Sequence, residues 1–337
     1  MNNEAAIIPR TGRDGQVAEW QHALAAAVDD LDELLRLLQL RREPWMAPAQ
    51  EFPLRVPRSF VARMRPGDPR DPLLLQVLPV TAEDRAVAGF TRDPLQEGDA
   101  QPVPGLLAKY PGRVLLTLTG ACGIHCRYCF RRHFPYGGAN PLASHWPRTL
   151  AFLRRRTDIR EVILSGGDPL SLTDERLARL AADLDRLPHL RRLRIHSRLP
   201  VVLPERLTPA LAQWLDQERL TTVLVLHVNH PRELDAALVR RLRRLGRSTR
   251  LLNQSVLLRG VNDSAAILAE LSERLDEAGV LPYYLHLLDP VAGAAHFQVP
   301  TARARALVAT LRTRLPGYLV PRLAREAPGQ PAKIWLN

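Results

Sequence analysis

Cys122, Cys126 and Cys129 are the only cysteines of this chain, and they fall within eight residues, in Cys122-Gly-Ile-His-Cys126-Arg-Tyr-Cys129. Three clustered thiols make no disulfide framework; by type and spacing they are metal ligands. A loop with C-x3-C-x2-C spacing wraps its thiolates round three corners of a [4Fe–4S] cubane and leaves the fourth iron open to a small molecule. The competing reading is a structural zinc site with His125 or His133 as fourth ligand, although a closed tetrahedral shell sits awkwardly on so short a spacing. A second chemical signal is a scarcity. Of 47 basic residues only Lys109 and Lys333 are lysines; the rest are arginine. A primary amine can lose its proton and form a Schiff base, which a guanidinium cannot. Both lysines are therefore candidates for amine chemistry, set against the plain alternatives of a loop cation and a solvated lysine near the end of the sequence.

These side chains need a scaffold. From residue 113 onward, short β-rich runs alternate with helical segments of ten to fifteen residues. Strands are expected at 114–119, 161–165, 193–196, 222–227, 251–256 and 283–288. Helices are expected at 147–155, 173–186, 208–217, 232–245, 265–278 and 301–314. Six β/α units in succession require a parallel sheet. The expected fold is α/β, an incomplete (β/α)6 barrel, with an open doubly wound sheet as the alternative; either gathers ligands at the C-terminal strand ends. Three parts are expected: an N-terminal helical and irregular extension (1–107), the barrel (108–315) and a short C-terminal segment (316–337). In the extension, 17–40 reads as one long amphipathic helix and 59–64 as a short one.

At 337 residues with 46% hydrophobic content, the chain buries a real core, which excludes a disordered protein. No run approaches the roughly 18 apolar residues of a membrane span. Residues 1–15 lack the layout of a secretory signal, so a cytoplasmic location and no membrane partner are expected. The net charge of +12 raises nucleic acid as a partner. Its arginines, however, are spread along helices with acidic neighbours, as in Arg240-Arg241-Leu242-Arg243-Arg244, without a basic tail or aromatic platform. No direct nucleic-acid contact is expected.

The cysteine loop after the first expected strand resembles that of the radical S-adenosylmethionine (SAM) superfamily, in which the open iron chelates SAM. Ser165-Gly166-Gly167-Asp168-Pro169, one β/α unit later, is similar to the family turn whose backbone approaches the SAM amino group. His196-Ser197-Arg198 stands where the family touches the SAM ribose and carboxylate. The likeness then narrows to the lysine 2,3-aminomutase group. It is carried by Lys109-Tyr110-Pro111-Gly112-Arg113, Cys129-Phe-Arg131-Arg132, His227-Val-Asn-His230-Pro231, Asn253-Gln254-Ser255-Val256 and Tyr283-Tyr284-Leu-His-Leu-Leu-Asp289. That group also uses pyridoxal 5′-phosphate (PLP).

The resemblance implies roles residue by residue. Lys333, behind a Gly-containing turn, would be the catalytic lysine that holds PLP; Lys109, Tyr110 and Arg113 would face the PLP phosphate, and Gln254 its ring or phosphate. Arg131 would bind the α-carboxylate of free lysine. Asp289 and Glu326 would hold its distal ammonium, Glu326 standing where the free-lysine enzymes carry Asp. Several N-terminal segments, such as Leu54-Arg55-Val56-Pro57-Arg58-Ser59-Phe60, resemble the short branch of the group that serves modification of elongation factor P. So does the lack of C-terminal zinc-site cysteines. That likeness implies conversion of (S)-α-lysine to (R)-β-lysine, an elongation-factor-P lysine ligase as recipient of the product, and a reductase or flavodoxin-type electron donor. The alternatives are a metabolic lysine or glutamate 2,3-aminomutase and, from another class, a zinc-stabilised RNA- or ribosome-binding protein.

Overall fold

The computed structural model describes residues 18–336 apart from 48–50, 139–141, 143, 144, 217 and 218. Val17 and Gln217, the ends of two expected helices, lie outside the described residues.

Among the described residues nine strands form one sheet in sequence order: β1 (Leu106–Tyr110), β2 (Arg113–Thr117), β3 (Glu161–Ser165), β4 (Arg192–Ser197), β5 (Thr221–Leu226), β6 (Arg250–Val256), β7 (Leu281–His286), β8 (Arg322–Arg325) and β9 (Ile334–Trp335). Strands β2 to β8 are parallel, while β1 and β9 close the two ends as antiparallel partners. A doubly wound sheet reverses its strand order at a switch point; this order never reverses. The six expected strands are present, with small shifts at their ends. The seventh parallel strand, β8, receives the chain from the helix Thr301–Arg312. It escapes the pattern because it is four residues long with only Leu323 and Ala324 buried.

Local chemistry sets where three of the crossover helices start: Thr173 accepts from the Arg176 amide, Thr208 from Leu211 and Asp235 from Leu238, so each of these begins on a side-chain cap. Strand β3 is buried at every position, as expected of a parallel strand covered on both faces. In β4 and β6 buried and half-buried residues alternate; the half-buried Arg194, His196, Gln254 and Val256 line the interior cavity.

The expected single helix over 17–40 is instead two, Glu19–Ala25 and Leu31–Leu37. Val28 between them trades two backbone hydrogen bonds with Val56, each 2.8 Å, and Asp30 caps the second helix through the Glu33 amide. A continuous helix would forfeit both. The expected helix at 59–64 is one turn, Arg58–Val61. Trp20, Leu24, Phe60 and Leu73 of the N-terminal segment share one apolar core with Leu116, Leu164 and Ile195 of the sheet. The two ends of the sheet also meet: Lys109 Nζ on β1 lies 3.0 Å from Glu326 Oε2, just past β8.

Candidate active site

At the C-terminal ends of the strands lies a cavity of about 1400 Å³, and every candidate site residue lines it. Cys122, Cys126 and Cys129 sit on the loop after β2, clamped from the N-terminal segment. The His125 amide donates to Arg55 O and the Arg127 amide to Gln76 O, both at 2.9 Å. The Arg127 guanidinium is buried against Glu83, donating from Nε at 2.8 Å and from Nη2 at 2.5 Å. Burial and the neighbouring thiols push Cys122 well above the ordinary thiol range and Cys129 up to about 11. Thiolates in such a place need a strong countercharge, which bound iron would supply. The two histidines of the zinc reading each engage a backbone carbonyl. His125 Nδ1 is 2.8 Å from Pro53 O with its ring stacked on Phe52, and His133 Nε2 is 3.3 Å from Ala292 O.

The Ser165–Asp168 turn packs on the cysteine loop. The Gly167 amide donates to Thr119 O at 2.7 Å and the Asp168 amide to Ala121 O at 2.8 Å. A Cβ on Gly167 would stand 2.4 Å from Ala121 O; Gly166, at φ +120°, would put one 2.7 Å from Thr119 O. Asp168 lines the cavity, and its carboxylate is engaged within the protein. Its Oδ1 accepts from Ser197 Oγ (2.7 Å) and the Leu170 amide (3.0 Å), its Oδ2 from the amides of Arg198 (2.8 Å) and Leu199 (2.9 Å). Both oxygens serve to lock the end of β3 to the end of β4. Arg198 is likewise buried, donating from Nη1 to Cys126 Sγ at 2.8 Å and to the Tyr128 hydroxyl, and from Nη2 to Gln76 and Glu233. His196 keeps a buried Nε2 without a protein partner; burial, then the charges of Arg194 and Lys333, hold its ring neutral.

Along the same cavity, from Arg131 to Lys333, the charges alternate. Arg131 donates through Nε and Nη2 to both oxygens of Glu97 (2.6 and 2.8 Å) and through Nη1 to Ser165 Oγ (3.1 Å). Lys109 Nζ lies 3.6 Å from Glu97 Oε1, so it sits between two carboxylates. Arg113 makes no ion pair among the described residues and stacks over the Tyr110 ring at 4.7 Å. Lys333 Nζ lies 2.7 Å from Glu326 Oε1, donates to His286 Nε2 at 3.3 Å and sits 5.2 Å from the Tyr284 ring centroid. Burial would raise the Glu326 carboxyl, but the ammonium groups of Lys333 and Lys109 hold it well below the carboxylate range. For Asp289 burial wins, aided by the Glu326 charge, and its carboxyl is pushed up to about 7.

Glu97 and His286 were missed by sequence reasoning. His286 stands inside the quoted Tyr283–Asp289 run. Glu97 carries no local signal at all, because its partners arrive only through the fold.

No family model matches the chain. It is 48% identical over 326 residues to the L-lysine 2,3-aminomutase of Escherichia coli, covering 95% of this chain and 94% of that protein. The Haemophilus influenzae enzyme of the same name is 44% identical over 331 residues, covering 97% and 98%. That of Clostridium subterminale is 35% identical over 321 residues, covering 94% of this chain and 77% of the relative. The chain belongs to the L-lysine 2,3-aminomutase family of radical SAM isomerases.

Proposed function

We propose that this enzyme converts free (S)-α-lysine to (R)-β-lysine, using a [4Fe–4S] cluster, SAM and PLP. One observation carries the reading: the three cysteines, both lysines, Arg131, Asp289 and Glu326 line a single cavity. The residues fit the groups they would hold. Cys122, Cys126 and Cys129 would bind the cluster in a pocket that needs positive charge. Ser165, Gly166, Gly167, Asp168, His196, Ser197 and Arg198 would form the adjoining wall for SAM, with the Asp168 carboxylate bracing that wall through Ser197 and the Arg198 amide. Lys333 offers its amine to PLP beside Tyr284 and His286, with Tyr110, Arg113 and Gln254 nearby and Lys109 within reach of its phosphate. When bound, these groups supply a carbon radical for hydrogen removal and a carbonyl that makes the amino group mobile between Cα and Cβ.

The chain's own residues supply orientation. Arg131 presents N–H donors to the α-carboxylate, and Asp289 with Glu326 presents negative charge to the distal ammonium, fixing both ends of the substrate. Glutamate would instead bring a second carboxylate to that acidic end, which is repulsive. The segments packed over the cavity from residues 51–55 and 97 restrict water and stray hydrogen donors. We further propose the division into extension (1–107), partial barrel (108–315) and C-terminal PLP segment (316–337), a cytoplasmic location, and delivery of β-lysine for modification of elongation factor P. The last rests on the likeness of N-terminal segments outside the strands.

The test is anaerobic incubation of cluster- and PLP-loaded enzyme with SAM, reductant, and lysine or glutamate in parallel. β-Lysine from lysine alone is expected; its absence removes the reading. Lys333→Ala should abolish borohydride-fixable PLP while iron content stays near wild type, and loss of iron there would contradict the placement of the two groups. Supplying the product to an elongation-factor-P lysine ligase with its target protein tests the destination: transfer is expected, and refusal of the product rejects it.

A further inference from the structure

The geometry points to Glu97 as a positioning residue that aims the Arg131 guanidinium at the substrate α-carboxylate, an inference that rests on the lysine reading above. Glu97 lies in the segment leading into β1, outside the β/α repeat, yet it is 3% exposed and reaches the cavity. The segment is built to hold it there. Asp93 Oδ1 accepts from the Glu97 amide at 3.1 Å, and Gln96 takes a left-handed φ of 50°, a conformation that non-glycine residues adopt only when their surroundings enforce it. Upstream, Thr91 pairs with Val291; its amide donates to Pro290 O at 2.9 Å and its carbonyl accepts from the Ala292 amide at 2.8 Å. The segment therefore straps the loop that follows Asp289 to the side chain of Arg131.

Donor counting shows what the strap does. A guanidinium has five N–H groups in a fixed plane. Three are committed: Nε and Nη2 to Glu97, and Nη1 to Ser165. One N–H remains on each Nη, and two prongs are what a carboxylate accepts in a fork contact. Without Glu97 the long Arg131 side chain keeps its charge but loses the contact that fixes its plane, and a misplacement of about 1 Å costs on the order of 100-fold.

The experiment measures lysine and lysinamide binding by calorimetry to cluster- and PLP-loaded enzyme without reductant, so that no turnover occurs. Glu97→Gln is expected to weaken lysine roughly 10- to 100-fold while lysinamide, which lacks the carboxylate, changes by less than about twofold. Glu97→Asp, with iron and PLP content confirming its fold, should recover most of the lysine affinity. In an Arg131→Met background, where the fork is already gone, Glu97→Gln should add no further loss. Equal lysine binding by wild type and Glu97→Gln, or parallel loss of both ligands, overturns the assignment. A wild type that binds PLP but not lysine overturns the lysine reading itself, and this role with it.

Discussion

Glu326 holds Lys333 at 2.7 Å through Oε1, and its other oxygen holds Lys109 at 3.0 Å, so the only two lysines of the chain meet on one carboxylate. Removing that carboxylate leaves two largely enclosed ammonium groups without their closest partner. Glu326→Gln should lower stability at pH 7 by about 2–4 kcal/mol. The pH dependence has a definite sign. The folded-state carboxyl is held below its unfolded value of about 4.3, so its contribution is complete above that pH and declines as pH falls beneath it. Denaturant unfolding of both proteins at pH 7 and pH 3.5 should show the gap closing in acid. A gap of the same size at both pH values would mean that the ion pairs are not its source.

Asp289 behaves in the opposite sense. Its carboxyl opens onto the cavity and is otherwise enclosed by protein, and burial with the nearby Glu326 charge raises it to about 7 in the fold. A carboxyl raised above its unfolded value of about 3.9 contributes stability that is whole below that value and is lost as pH rises through 7. Asp289→Asn should therefore be more stable than wild type at pH 8, by about 1–3 kcal/mol, with no advantage at pH 4. The same variant should bind lysine more weakly, since the ammonium loses an ionised partner. Thermal melts at pH 4 and pH 8, with and without lysine, test both halves. A variant no more stable than wild type at pH 8 would show that the ionised carboxylate carries no strain.

Periodicity and spacing reveal whatever is local in this protein. Residues 161–165 read as a strand and form one to the residue, because a run of buried aliphatics between a polar turn and Gly-Gly has little else to become. The positions of the cysteine loop after β2 and of the Gly-Gly turn after β3 are legible for the same reason. What escapes is non-local. Lys109 reads as a lone cation before a turn, and the fold delivers Glu97 and Glu326 to it from sequence distances no window spans. Three of the four hydrogen bonds to the Asp168 carboxylate come from Ser197, at the end of β4, and the two residues after it, a helix away in sequence. The split at Val28 depends on a bridge to Val56 that an amphipathic stripe cannot announce.

Gly167 has a role that iron content can test. Its missing Cβ leaves room for backbone atoms of Gly120 and Ala121, the residues leading into Cys122. Backbone cannot rotate aside as a side chain does, so Gly167→Ala must displace the cysteine loop. Anaerobic reconstitution of that variant should load well under half the iron of wild type. Gly317→Ala, where nothing lies within 4 Å of the new Cβ, should load normally. Full iron in Gly167→Ala would show that the loop tolerates the shift.

Arg198 addresses the electronics of the same loop. Its Nη1 donates to Cys126 Sγ at 2.8 Å, while Nη2 donates to Gln76 Oε1 at 2.7 Å and to Glu233 Oε2 at 3.2 Å. A buried cation donating to a ligand sulfur stabilises the more negative, reduced state of a bound cluster and so raises its reduction potential. Arg198→Met should make the cluster harder to reduce, with a midpoint more negative than wild type in a spectroelectrochemical titration followed by electron paramagnetic resonance. Removal of the guanidinium also strands Glu233, so the fold of the variant can suffer. Arg198→Lys guards against that: it retains the charge but not the planar array that reaches sulfur, Gln76 and Glu233 together. Its midpoint should fall between the other two. An unchanged midpoint in a correctly folded Arg198→Met would mean that this contact braces the loop without tuning the metal.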